Sequence, residues 1–151
     1  MEQPRFNERL TVPLRWWVLG TMLVASLWVA LIVAVPEVWA FGIATAALVL
    51  MGALFVYYGS ARIRVVDDAL HVGRAHIDLQ FLGAVELLEK EPMRLAAGRD
   101  ADPRAFLLLR PYLARGIRVT LTDPQDPAPY WLFHTRRGSD LAKALSTSAR
   151  G

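Results

Sequence analysis

Two long stretches without a charged residue or a histidine limit what this chain can fold into more than any other feature. They run from Trp16 to Val35 and from Val38 to Tyr58. Each has roughly 20 residues, which at about 1.5 Å per residue of helix matches the roughly 30 Å hydrocarbon thickness of a bilayer. Pro36 and Glu37 separate them, and proline cannot continue a helix while glutamate prefers water. The sequence predicts a transmembrane hairpin of two antiparallel helices.

Two other interpretations of these stretches are weaker. A buried helical hairpin in a soluble protein is disfavoured because so small a chain has too little material to cover both helices. A cleaved signal peptide would use Val38-Trp39-Ala40 as its cleavage site. That interpretation is disfavoured because the apolar region is too long and a second span follows at once.

The basic residues that flank the spans predict the orientation. Arginines precede the first span and follow the second, whereas the connecting turn has none: Arg5, Arg9, Arg15, Arg62 and Arg64. By the positive-inside rule both termini are expected in the cytoplasm, in a plasma membrane. Aromatic residues agree, since they flank the spans where amphipathic rings prefer to lie: Trp16, Trp17, Trp39, Tyr57 and Tyr58.

A ridge of small residues suggests how the helices pack. Ser26, Ala30 and Ala34 fall at i, i+4 and i+8, and this ridge could receive Gly42 and Ala46 of the second helix. Two alternatives stay open. The small residues are incidental, or the ridge serves a dimer or another membrane protein.

Composition limits the function classes. The 151 residues are 54% hydrophobic and include no cysteine, which excludes disulfides, thiolate metal sites and a cysteine nucleophile. The net charge is +3, but no Lys/Arg cluster interleaved with aromatics appears outside the membrane flanks, so a nucleic-acid partner is not expected. No cofactor motif is present, and none is expected.

The residues after the spans predict a mainly β domain. We divide the chain into a cytoplasmic segment at 1–15, the hairpin at 16–58 and a cytoplasmic domain at 60–148. From residue 62 onward apolar and polar residues alternate in short runs, and the first two runs meet at a turn at Asp67-Asp68. Pro92 and Gly98 bracket a connector with one or two helical turns, and Ser139 begins an amphipathic helix.

About seven short strands closed by a C-terminal helix resemble the pleckstrin-homology-like fold. In that fold two nearly orthogonal sheets form a barrel and the terminal helix closes one end. Leu141 and Leu145 would then fill the barrel mouth. A six-stranded barrel and a sandwich are the alternatives, because strand counts from one sequence vary by one or two.

The whole chain also resembles a family of small actinobacterial membrane proteins known as domain of unknown function 3093. The following segments carry this resemblance: Glu8-Arg9-Leu10 with Pro13, Asp102-Pro103 with Phe106, Arg110-Pro111, residues 121–131, and Thr135-Arg136. The resemblance implies a topology and a lineage, without a substrate or an active residue.

Candidate catalytic residues are few. His71, His76 and His134 are the only histidines, and no spacing among them demands a metal site. The paired acids Asp67-Asp68 and Asp123 with Asp126 occur where turns favour aspartate. Ser60 and Ser139 have no histidine partner that the sequence suggests. No catalytic or metal-binding residue is predicted.

The arginines are the best candidates for a binding surface. Arg62 and Arg64 share one face of a strand, and further arginines come from segments that a barrel could bring near it: Arg110, Arg115, Arg118, Arg136 and Arg137. We predict contact with the inner leaflet or an anionic lipid headgroup, chiefly through Arg62, Arg64, Arg118, Arg136 and Arg137. The alternative is an ordinary solvated face with positive-inside topology.

Two function classes follow. The first is a non-enzymatic, membrane-tethered interaction module whose domain binds a membrane or cytoplasmic protein. The second is a protein that binds anionic lipid headgroups or envelope components through its arginines. An enzyme is a distant third.

Overall fold

The chain folds into two compact units, one of which interrupts the other in sequence. The computed structural model describes residues 4–148. Residues 11–60 form a helical unit, which we call the hairpin unit. Residues 4–10 and 61–148 together form the second unit, which we call the β unit.

Two helices make up the hairpin unit. Helix α1 covers Leu14–Ala34 and helix α2 covers Glu37–Gly59, with Pro36 between them. Their mean hydropathy over the most apolar windows is 2.2 and 2.1, and only 6% and 11% of those windows are buried. A core helix of a soluble protein would be mostly buried. Both helices are long and apolar enough to cross a membrane.

The two helices pack along a row that the small-residue pattern did not predict. On α1 the row passes through Gly20, Val24 and Trp28, and on α2 it passes through the buried Ala40 and Ala44. Two ring contacts reinforce it, Trp17 with Phe55 at 5.0 Å and Trp28 with Phe41 at 5.4 Å between centroids. Gly20 faces the side chain of Met51, so the contact combines a glycine with large side chains and is not a uniform row of small residues.

The predicted packing residues lie elsewhere on the helices. Ser26, Ala30 and Ala34 are exposed about a third of a turn from the packing row of α1, at 100° per residue. Gly42 and Ala46 are exposed on the side of α2 opposite its packing row. The prediction that these five residues join the two helices is therefore corrected. Their use by a dimer or another membrane protein stays a prediction.

Eight strands form two four-stranded sheets in the β unit. Sheet A has the order β1-β2-β3-β4, and all its neighbours are antiparallel: Phe6–Arg9, Arg62–Val66, Ala69–Val72 and Ala75–Asp78. Sheet B has the order β5-β7-β8-β6: Leu82–Leu88, Gly116–Leu121, Tyr130–His134 and Phe106–Leu108. The pair β6 and β8 is parallel, and the other pairs of sheet B are antiparallel.

The N-terminal strand β1 belongs to the β unit although the hairpin separates it from the rest of that unit. Arg9 faces Arg62 in the β1–β2 ladder, and the backbone N–H of Leu10 donates to the carbonyl of Ala61 at 3.0 Å. The division that we expected, with residues 1–15 apart from a domain at 60–148, therefore needs revision. The domain is discontinuous, and the chain leaves it and returns to it at one strand end. We call this the connection end of sheet A.

Both sheets and the C-terminal helix share one core. Helix α4, Gly138–Ser148, buries Leu141 and Leu145 among residues of both sheets, such as Ile63 and Phe133. Helix α3, Lys90–Ala97, covers the other face of sheet B, where Met93 packs with Leu132.

The predicted closed barrel of about seven strands is not what forms. A 3-10 turn at Leu79–Phe81 carries the chain from sheet A to sheet B, and within residues 4–148 no strand ladder joins the two sheets. β1 supplies an eighth strand. The helix and strand classes were predicted correctly, whereas barrel closure was not.

Candidate functional site

The outer face of sheet A carries a row of basic side chains. Residues directly opposite each other in a ladder point to the same face. Arg9 faces Arg62, and Arg64 faces His71, which in turn faces His76. The arginines are exposed, while their strand neighbours Ile63 and Val65 point into the core. We call Arg9, Arg62, Arg64, His71 and His76 the basic face.

Charge is unevenly distributed along this sheet. Arg9 and Arg62 occupy the connection end, and the β3–β4 turn brings Arg74 to the same end because the Gly73 N–H donates to the Arg62 carbonyl at 2.9 Å. The acidic residues lie at the opposite end of the sheet, in the β2–β3 turn and in β4: Asp67, Asp68 and Asp78. Asp68 is paired there with Arg5 at 3.2 Å. The connection end is thus the basic end of the sheet.

Arg62 and Arg64 differ from the other predicted arginines in their partners. Neither forms an ion pair with any residue between 4 and 148. Arg118 lies on sheet B instead, where its guanidinium bonds Glu86 and lies 5.9 Å from the centre of the Tyr130 ring. Its charge is therefore already matched within the fold.

The two arginines that follow β8 are placed at the corner before α4. Arg137 bonds Asp140 at 3.0 Å and lies over the Phe6 ring at 5.3 Å. Arg136 is exposed, and its backbone N–H donates to Glu8 at 2.9 Å. Arg115 pairs with Glu89 at 2.7 Å. Arg62 and Arg64 therefore share sheet A, Arg118 lies on sheet B, and Arg136 and Arg137 lie between β8 and α4.

A buried polar cluster ties β1 to the corner between β8 and α4. Glu8 is only 7% exposed, and its carboxylate accepts bonds from the Thr135 hydroxyl and the Arg136 N–H. The Thr135 hydroxyl oxygen in turn accepts the Arg137 N–H at 3.1 Å, just before α4 begins. A carboxylate next to backbone N–H groups at a helix start is in a favourable field. Sequence analysis missed Glu8 because its polarity indicated a solvent-facing flank.

Two more buried groups extend this cluster. Tyr112 donates its hydroxyl to the Leu10 carbonyl at 2.7 Å, and burial raises the pKa of Tyr112. His134 accepts the Arg110 N–H on Nδ1 at 2.8 Å. Burial lowers the pKa of His134 below its usual range, and the positive charge of Arg110 lowers it further. A neutral imidazole is what an accepting Nδ1 requires.

Three segments that carry the family resemblance meet at this cluster. Glu8-Arg9-Leu10, Arg110-Pro111 and Thr135-Arg136 are more than 20 residues apart in sequence, yet hydrogen bonds connect each of them to the cluster. Of these bonds, those of Glu8 and Leu10 fasten β1, whereas the bond from Arg110 to His134 joins the loop after β6 to β8.

The remaining candidate residues have structural surroundings. The His71 and His76 rings stack at 5.6 Å, and no group of three or more potential metal-binding side chains occurs within the part of the chain that the structure covers. Asp123 and Asp126 accept backbone N–H groups two residues ahead, each at 2.8 Å, as turn aspartates do. Asp67 and Asp68 adopt the positive φ angles of a tight hairpin turn. Asp102 also accepts a backbone N–H two residues ahead, that of Arg104, and this bond together with the Arg104 guanidinium lowers the pKa of Asp102.

Comparison with known proteins identifies one family. A family model described as "Protein of unknown function (DUF3093)" matches residues 5–145, which include both long apolar helices and nearly all of the β unit. No curated protein and no solved structure matches the chain.

Proposed function

Since the chain belongs to DUF3093, a family whose name supplies no activity, we propose a function from its own geometry. In this proposal the protein is a non-enzymatic interaction module, anchored in the membrane by the hairpin unit. Its β unit docks on the anionic cytoplasmic leaflet through the basic face.

One observation carries this proposal: the basic end of sheet A is also its connection end. Arg62 follows the last residue of α2, Gly59, by three positions, and Arg9 precedes the first residue of α1, Leu14, by five. At no more than about 3.6 Å per residue, these stretches reach at most about 11 and 18 Å. The headgroup region extends about 6 Å beyond the hydrocarbon on each side. Arginines tethered this closely to the ends of spanning helices are within reach of the phosphate groups.

Sidedness follows from strand pairing together with the flanking charges. β1 precedes both spans and β2 follows them, so their pairing in one sheet requires both ends of the hairpin on the same side of the membrane. An even number of spans meets this requirement. The arginines at both flanks favour the cytoplasmic side of a plasma membrane.

The fold proposed for the β unit is an open variant of the pleckstrin-homology-like fold. Two mainly antiparallel sheets followed by a C-terminal helix support this assignment. The insertion of Leu141 and Leu145 into the core that both sheets share supports it as well. The parallel β6–β8 pair is an addition to that pattern.

Docking can be measured on the full chain in lipid nanodiscs. Because the sequence has no cysteine, Asn7→Cys gives a single site for a fluorophore on the outer face of sheet A. We expect a headgroup-attached quencher to reduce its fluorescence in discs with phosphatidylglycerol, and to reduce it much less in pure phosphatidylcholine. High salt should weaken the effect because exposed charges are screened.

Neutralising the two unpaired arginines should release the domain. At about 1 kcal/mol per arginine near an anionic surface, Arg62→Gln with Arg64→Gln lowers the docked-to-undocked ratio about 30-fold. The matched control is Arg94→Gln with Arg99→Gln, which removes the same charge at and after α3 and should leave docking unchanged. Equal quenching in both lipids, or equal loss in both double variants, would overturn the proposal.

A further inference from the structure

A long edge strand in sheet B is open to pairing. β5 lies at the edge of the sheet and, at seven residues, is the longest strand of the β unit. Soluble proteins usually protect such edges with proline, with lysine or by covering them. β5 contains neither proline nor lysine, and its one charged residue, Glu86, is bonded to Arg118 of the neighbouring strand. A register irregularity between Leu82 and Val85 interrupts the pairing of β5 with β7, so residues 85–88 are the regular part of this edge. Its outward backbone groups therefore form a template for another extended chain.

A groove runs between this edge and helix α4. It has a volume of about 450 Å³, and apolar residues line most of it: Leu79, Leu82 and Val85 on one side, Ala142 and Leu145 on the other. Leu87 continues the same strand beside the groove and is 53% exposed, which is unusual for a large apolar side chain in a sheet. Apolar side chains from a bound partner would find contacts here.

Lys143 is the charged residue of this lining. It has no ion pair with residues 4–148, whereas the neighbouring charges of α4 and β5 are matched, Asp140 by Arg137 and Glu86 by Arg118. An acidic side chain on the partner would complement Lys143.

We propose that the groove between β5 and α4 binds an extended peptide segment of a partner protein, added as a fifth strand to sheet B. Apolar side chains at alternate peptide positions, about 7 Å apart, enter the groove, and an acidic residue pairs with Lys143. This inference rests on the proposed function, because it names the partner that the interaction module holds.

Other occupants fit less well. A lipid chain offers no hydrogen bonds to the edge of β5. A second copy paired through β5 would bring its own Lys143 to the same edge, which adds a like charge where a counter-charge is needed. The test below distinguishes the second copy from a peptide.

The probe is a displayed library of random twelve-residue peptides, selected on the full chain in phosphatidylcholine nanodiscs. We expect enrichment of sequences in which apolar residues alternate and an aspartate or glutamate recurs at one position. A synthetic peptide of the enriched sequence should slow hydrogen exchange of the amides at residues 82–88.

Charge reversal provides the matched comparison, because the chain has only two lysines. Lys143→Glu should weaken binding of the enriched peptide at least tenfold, and Lys90→Glu, on α3, should change it less than twofold. Ala142→Trp should block the groove sterically. If that variant misfolds, the lysine pair still decides the matter.

Three results would overturn the groove: no enrichment, equal binding by the two lysine variants, or peptide-free protection of residues 82–88 that depends on protein concentration. The last result would indicate a second copy. The outcome is separable from docking at the membrane. Peptide binding without quenching in phosphatidylglycerol discs would overturn only the proposal that the basic face docks on the membrane. Quenching without peptide binding would overturn only the proposal that the groove binds a peptide.

Discussion

At the scale of single residues, Glu8 is the most informative side chain of the β unit. It lies on the inward side of β1 and supplies both oxygens to the corner before α4. Burying a carboxylate costs free energy unless hydrogen-bond donors surround it, and buried donors cost free energy if they lose their acceptor. These hydrogen bonds therefore make the structure of the corner before α4 depend on β1, and the position of β1 depend on that corner.

Glu8→Ala should destabilise the β unit by about 2–4 kcal/mol, because the Thr135 hydroxyl and the Arg136 N–H lose their acceptor. Asn7→Ala, one position away on the exposed face, should cost less than about 0.5 kcal/mol. Urea unfolding of the full chain in detergent, followed by tryptophan fluorescence, measures both. Equal midpoints for the two variants would show that the buried carboxylate contributes nothing.

The unusual environment of His134 predicts a pH dependence. The folded chain holds the pKa of His134 below the ordinary value of 6.5, so the unfolded chain binds a proton first as the pH falls. Stability from this group is complete above about pH 6.5 and is lost as the pH drops from there towards the folded pKa.

His134→Asn keeps an acceptor near the position of Nδ1 but does not titrate. The decrease in melting temperature between pH 7.5 and pH 5.5 should therefore be smaller in this variant than in the native chain. An equal decrease in both would mean that other groups cause the acid sensitivity.

At the scale of elements, the packing of α1 against α2 depends on how closely their side chains fit. A Cβ built on Gly20 would overlap the sulfur of Met51, whereas a Cβ built on Gly42 meets nothing within 4 Å. Two glycines in equally apolar helices thus have opposite environments.

Gly20→Leu should lower the thermal midpoint of the helices in detergent, with an overpacking cost of about 1–3 kcal/mol. Gly42→Leu should not lower that midpoint, since its side chain enters open space and leucine favours a helix more than glycine does. Circular dichroism at 222 nm follows both. A larger effect at Gly42 would indicate that the predicted small-residue ridge is in use, for example between two copies.

Local signals were enough to predict several elements. The turn at Asp67-Asp68, the short helix between Pro92 and Gly98 and the C-terminal helix all depend on neighbouring residues. β1 was missed because four residues beside a span resemble a flank, and their partner strand lies 53 positions away. Closure of the sheets and the packing row between the two helices depend on contacts between side chains that are distant in sequence. A single sequence does not specify those contacts.

The candidate site was predictable only in part. The alternation of Arg62 and Arg64 with Ile63 and Val65 is enough to put both arginines on one face. Nothing local indicates that Glu86 matches the charge of Arg118, or that Arg9 joins the row from another segment. Those contacts arise from strand register between distant segments.

At the scale of the whole molecule, the hairpin is an insertion in a β domain. Leu10 and Ala61 are hydrogen-bonded neighbours at adjacent strand ends, so the chain between them is not needed to bring them together. The β unit should therefore fold without the hairpin when its two pieces are joined directly.

Replacement of residues 11–60 by Asn-Gly, which favours a two-residue hairpin turn, should give a soluble protein with one cooperative thermal transition. Residues 61–151 alone lack β1 and leave Thr135 without Glu8. That fragment should not unfold cooperatively, and it should expose apolar surface that binds a hydrophobic dye. If the fragment folds as well as the joined chain, β1 is an accessory strand.

The insertion also gives the domain an order of assembly. At about 5–20 residues per second, β1 leaves the ribosome roughly 3–10 s before its partner strand exists, and the apolar Phe6 and Leu10 have no sheet to join during that time. If only one span crosses the bilayer, the two strands end on opposite sides and never meet. In the membrane topology that we propose, completion of sheet A therefore depends on the insertion of both helices, and a chain with only one inserted helix would keep an unfinished domain open to quality-control proteases.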